Sequence, residues 1–119
     1  MATAVKRKLS GSTDGRGIKV AATSSPGTTI HTSVSGATSG TFDEIWLFAH
    51  NNYTSDILLT LELGGTTDPD DLINVTISFD SGLMLIIPGL ILQNSSVIRA
   101  YAATADYVVI TGFVNSITD

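Results

Sequence analysis

A chain of 119 residues is the commonest size for one domain and buries about two-thirds of its unfolded surface on folding. It has no cysteine, which excludes a disulfide scaffold and thiolate metal sites, and only 14% of its residues are charged against a usual ~25%. The net charge of −5 is unevenly placed: residues 1–19 hold Lys6, Arg7, Lys8, Arg16 and Lys19 with Asp14 the one acid, whereas residues 20–119 hold Arg99 and the remaining ten acids. A body so acidic argues against nucleic acid as a partner, because phosphate binding wants a broad positive face.

Residues 1–17 carry Ser10-Gly11-Ser12, Asp14-Gly15 and Gly17, which are turn and loop signals. They contain no apolar run of the length a signal peptide needs, so synthesis in the cytosol is expected. This segment is expected to be a flexible basic N-terminal arm, with a single domain over residues 18–119. Residues 18–22 form a short first strand candidate, and Ser24-Ser25-Pro26-Gly27 turns the chain. Residues 28–34 are rich in β-branched side chains, with the second strand over 29–32. Residues 35–41, with Gly36 and Gly40, form a loop.

The strongest pattern is over 44–50, Glu-Ile-Trp-Leu-Phe-Ala-His. Ile45, Leu47 and Ala49 point to one face and Trp46, Phe48 and His50 to the other. Both faces are apolar, which predicts a central strand or one covered on both sides. Residues 56–63 place Ile57, Leu59, Leu61 and Leu63 inward and Leu58, Thr60 and Glu62 outward. A loop over 64–71 precedes 74–79, where Val75, Ile77 and Phe79 are expected inside. Asp80-Ser81-Gly82 turns the chain into 83–87, which Pro88-Gly89 is expected to break before a brief apolar patch at 90–92. Residues 97–102 and 107–114 supply the last strands, and the alanines of 100–105 leave room for one helical turn between them. About eight short strands separated by turn signals predict an all-β fold. The expected architecture is an antiparallel two-sheet sandwich, jelly-roll-like rather than immunoglobulin-like.

Catalytic signatures are missing. No nucleophile elbow, His-Glu-x-x-His, P-loop or dinucleotide fingerprint occurs, and Asp43-Glu44, being adjacent, point to opposite faces. The expectation is therefore a protein that is not an enzyme and uses no cofactor. Asp68-Pro69-Asp70-Asp71 offers carboxylates to a hard cation, but its spacing matches no calcium loop and a Pro-led turn accounts for it. His31 and His50 lie on different strands with no ligand pattern around them, so no metal site is expected. Trp46, Phe48, Tyr53, Tyr101 and Tyr107 suit core packing better than a stacking platform. Asn52-Tyr53-Thr54, Asn74-Val75-Thr76 and Asn94-Ser95-Ser96 match the glycosylation sequon as chance products of a Ser- and Thr-rich chain. Arg99, alone among apolar neighbours, is expected to pair with an acid or to serve an interface.

The opening Lys8-Leu9-Ser10-Gly11-Ser12-Thr13-Asp14-Gly15-Arg16-Gly17-Ile18-Lys19-Val20 resembles that of small proteins encoded among the virion genes of tailed phages. So do Asp43-Glu44-Ile45-Trp46-Leu47-Phe48-Ala49, Gly64-Gly65-Thr66-Thr67, Val97-Ile98-Arg99-Ala100-Tyr101-Ala102-Ala103 and Gly112-Phe113-Val114-Asn115. The resemblance runs over nearly the whole chain and includes no catalytic motif. It is to capsid accessory proteins of the cement or decoration type. It implies a homo-oligomer with the major capsid protein as partner, in the virion after synthesis in the host cytoplasm, with no membrane contact. Lys6, Arg7, Lys8, Arg16, Lys19 and Arg99 are the expected capsid contacts, with the arm as a clamp that adds a strand or pairs with capsid acids. The alternative is a phage tail or fibre β-module that binds host-surface glycan. A nucleic-acid-binding arm and a hydrolase rank below both.

Overall fold

Apolar alternation with period two leaves each strand one face to bury, and two sheets facing each other satisfy that need. The computed structural model describes residues 2–119. It contains nine strands: β1 (Thr3–Lys8), β2 (Ile18–Lys19), β3 (Thr28–Thr32), β4 (Phe42–Asn51), β5 (Ile57–Leu63), β6 (Leu72–Ile77), β7 (Met84–Leu92), β8 (Val97–Ala102) and β9 (Val108–Thr118). They form two antiparallel sheets, the all-β sandwich expected from the pattern. One sheet runs β1-β9-β4-β7, with β2 also on β9; the other runs β3-β8-β5-β6. Ile45, Leu47 and Ala49 of β4 meet Leu59 and Leu61 of β5 and Ile98 of β8 in one fully buried core.

Central placement of β4 follows from its two apolar faces: β9 pairs along its whole length and β7 along most of it. Its inner face is buried, and its outer face remains half-exposed. On β5, Thr60 and Glu62 are buried rather than solvated. Thr60 Oγ1 donates to Asn74 Oδ1 at 2.9 Å, and the Glu62 carboxylate accepts from Ser25 Oγ (2.5 Å) and the Gly27 amide (2.6 Å). The turn at 25–27 thus covers that end of the strand, so alternation alone misassigned the two residues.

Four other expectations are corrected. Pro88 does not end its strand: β7 continues to Leu92, because it is a sheet edge where a missing N–H is tolerated. Two register shifts against β4, and a positive φ of 82° at Gly89, absorb the irregularity. Phe79 lies past the end of β6 and is exposed. Residues 103–105 form a turn, not a helical one, and β9 runs on to Thr118.

The largest correction concerns the N-terminal segment. Residues 3–8 are not a free arm but the edge strand β1, in register with β9 from Thr3↔Thr118 to Lys8↔Phe113. All six β1 side chains are exposed, yet the next residue, Leu9, is 1% exposed and belongs to the core. Beyond it, the Ser10 and Gly11 amides donate to His31 Nδ1 and the Ile30 carbonyl, both at 3.0 Å. The boundary expected at residue 18 therefore falls inside the packed domain. Met1, the first residue of the expected arm, lies outside the described residues.

Gly112 marks the tightest approach in the sandwich. It faces Leu47 across the β4–β9 ladder, and a Cβ there would collide with the Trp46 carbonyl oxygen. Gly112→Ala is expected to cost about 1–3 kcal/mol by forcing two central strands apart. Urea unfolding checks this.

Candidate functional site

The outer face of the β1-β9-β4-β7 sheet is the most distinctive surface. Trp46 and Phe113 are cross-strand partners with near-parallel rings, 6.3 Å between centroids at 14°. Lys6 reaches from β1 to place Nζ 4.2 Å from the centre of the Phe113 ring. Phe48 pairs with Leu85 on β7, Trp46 with Pro88 and Glu44 with Ile91. On β7 the exposed Leu85, Leu90 and Ile91 continue the apolar surface, and among the described residues no second layer covers it. Contiguous exposed apolar surface of this kind marks an interaction site.

One carboxylate is built into the face. Glu44 Oε1 accepts from Trp46 Nε1 at 2.8 Å and from Asn115 Nδ2 at 3.0 Å. These donors, the indole first and the amide second, hold the Glu44 carboxyl below its ordinary range. The group's contribution is therefore present above the ordinary carboxylate pKa and lost as pH falls through the lowered value. Trp46 is the only tryptophan, so its emission is expected to hold steady through mild acid and to change at that lower pH. In Glu44→Gln the acid transition should disappear.

Five of the six basic residues singled out in the sequence come together. Lys6, Arg7 and Lys8 lie on β1, Arg16 in the turn after it and Lys19 on β2, all along the β9 side of one sheet. Lys19 pairs with Asp106 at 3.8 Å, both exposed. Arg99 does not join them; it sits on β8 of the other sheet, opposite Thr29 and Glu62. Glu62 is taken by Ser25 and Gly27, and among the described residues Arg99 forms no ion pair.

His31 and Asp43 form a buried pair, Nε2 to Oδ2 at 2.7 Å, linking β3 of one sheet to β4 of the other. The Ser10 amide donates to Nδ1, so the shared proton with Asp43 sits on Nε2. Ser10 Oγ itself accepts from the Thr32 amide at 2.7 Å. Ser, His and Asp are thus neighbours here, but neither ring nitrogen is free to take a proton from the hydroxyl. They line a cleft of about 400 Å³ between the β1 and β3 edges, with Arg7 and Lys8 at its rim. His50 lies half-buried at the end of β4. In the acidic loop, Asp71 Oδ2 accepts from the Thr67 amide at 3.1 Å, the local turn bonding that suits such a sequence. Among the described residues no three His, Asp or Glu side chains are grouped to hold a metal.

Tyr53 and Tyr107 pack together at 4.5 Å, and Tyr101 lies on the other sheet. Sequence reasoning missed Phe113 and Asn115 as site residues. Their signal was the alternation with Val114 and Ser116, which continues past the expected strand end. Comparison with protein-family models, curated proteins and solved structures finds no match.

Proposed function

We propose that this chain is a non-catalytic structural protein of a tailed-phage virion, a cement or decoration protein that binds the outside of the capsid as a homo-oligomer. The observation that carries the reading is the uncovered apolar face around Trp46, Phe48 and Phe113, bordered by the lysines of β1. A protein that binds only the assembled shell stabilises it by mass action, and for that it needs a rigid domain with a complementary surface, not a pocket. The low charged fraction suits a molecule that covers part of its surface with a partner. The strand order β9-β4-β7 facing β3-β8-β5-β6, with consecutive strands mostly changing sheet, supports the jelly-roll form of the sandwich. Phage location and capsid partner rest on the resemblance; the docking face rests on the geometry.

The test is co-sedimentation with capsids that lack the protein. Saturable binding at a fixed copy number per capsid subunit is expected, and Trp46→Ala should weaken it about 30-fold, as loss of an aromatic anchor does. Absence of binding would overturn the capsid reading. The half-buried Trp46 on the outer face, beside Glu44 and Asn115, favours glycan binding by a tail or fibre module as the next reading, tested on a glycan array.

A further inference from the structure

The two long edges of the sandwich are opposite in charge. On one, β1 and β2 border β9 and carry Lys6, Arg7, Lys8 and Lys19, with Arg16 in the connection between them. On the other, β6 of one sheet and β7 of its partner sheet are joined by the turn at 78–83, with the loop at 64–71 beside them. That edge exposes Asp56, Asp68, Asp70 and Asp80, and the chain has no Lys or Arg between residues 20 and 98. It also carries the three most exposed large apolar side chains among the described residues, Leu83 at 60%, Ile91 at 56% and Leu85 at 50%, together with Phe79 at 46%.

We propose that copies of this chain join edge to edge, the basic β1–β2 edge of one against the acidic, apolar β6–β7 edge of the next. Both halves of the contact are present in one molecule. Pairing either edge with itself would set like charges together, whereas head-to-tail contact sets Arg7 and Lys8 near Asp68 and Asp70. The aliphatic stems of the β1 cations and Val5 then cover Leu90 and Ile91, at the end of β7 where Leu92 lies beside Gly64 of the acidic loop. Pro88 and the bulges of β7 interrupt that edge as a template for a new strand, so side chains rather than a continuous ladder make the contact. A heterologous contact closes into a ring where the rotation permits. The inference deepens the homo-oligomer part of the proposed function and stands independently of the capsid partner.

Sedimentation velocity of the full chain tests it. The protein should assemble at low salt and loosen at high salt. Arg7→Glu with Lys8→Glu, or Asp68→Lys with Asp70→Lys, should each raise the dissociation constant at least about 100-fold, roughly tenfold per reversed residue. All four side chains are exposed, so the fold is retained, which Trp46 emission verifies. Mixing the two variants, or combining all four reversals in one chain, should restore assembly. A wild-type chain that stays monomeric at low salt would overturn the inference, and so would folded variants that stay associated or fail to re-associate when combined. Capsid co-sedimentation is read separately, so monomers that still saturate capsids would sink this inference alone.

Discussion

His31→Ala is expected to destabilise the fold by about 3–5 kcal/mol, the usual cost of leaving a buried carboxylate, here that of Asp43, without its hydrogen-bonding partner. Asp43 is 3% exposed, and its Oδ2 is held by His31 Nε2 and, at 3.2 Å, by the Val34 amide. Its other oxygen has no hydrogen-bond partner among the described residues, so none of them compensates when the imidazole is removed. The loss also frees the Ser10 amide, which donates to the same ring. One substitution therefore loosens three segments: β3, the start of β4 and the residues after β1. Asp43→Asn keeps the shape and removes the charge, so it should cost less, about 1–3 kcal/mol. Urea unfolding of the two variants checks the order; equal losses would show that packing, not charge, dominates.

Leu9→Ala is expected to cost about 2–5 kcal/mol, as for any leucine truncated in a packed core. The position looks unpromising, between a run of three cations and a Ser-Gly-Ser turn. Yet Leu9 is buried with Val20 and Ile30, and the backbone bonds of Ser10 and Gly11 lock it there. Removing residues 2–7, by contrast, takes away only exposed side chains and one edge ladder, so the remaining domain should stay folded with a small loss. Thermal unfolding distinguishes the two. A truncation meant to test the role of the basic segment must stop before Leu9; one that removes residues 1–17 would take a core residue with it.

Alternation of side chains was enough to read the class of this protein from its residues. A strand shows itself locally, because successive residues face opposite sides, and Ile45-Trp46-Leu47-Phe48-Ala49 admits no other reading. The absence of thiolate sites and catalytic motifs and the uneven charge were equally visible, since composition and spacing need no coordinates. Covering, in contrast, depends on what a distant segment does. Glu62 is buried because the turn at 25–27 folds over it, and Leu9 because the N-terminal segment turns in beneath β3. His31 and Asp43 look unrelated in the chain and meet only when two sheets face each other. Pro88 ends a strand in most settings and did not here, because only the tertiary order makes β7 an edge. Pattern along the chain decided that there would be two apolar layers. Which strands lie next to each other, and so which charges share an edge and which aromatics share a face, came from long-range pairing that no local window contains.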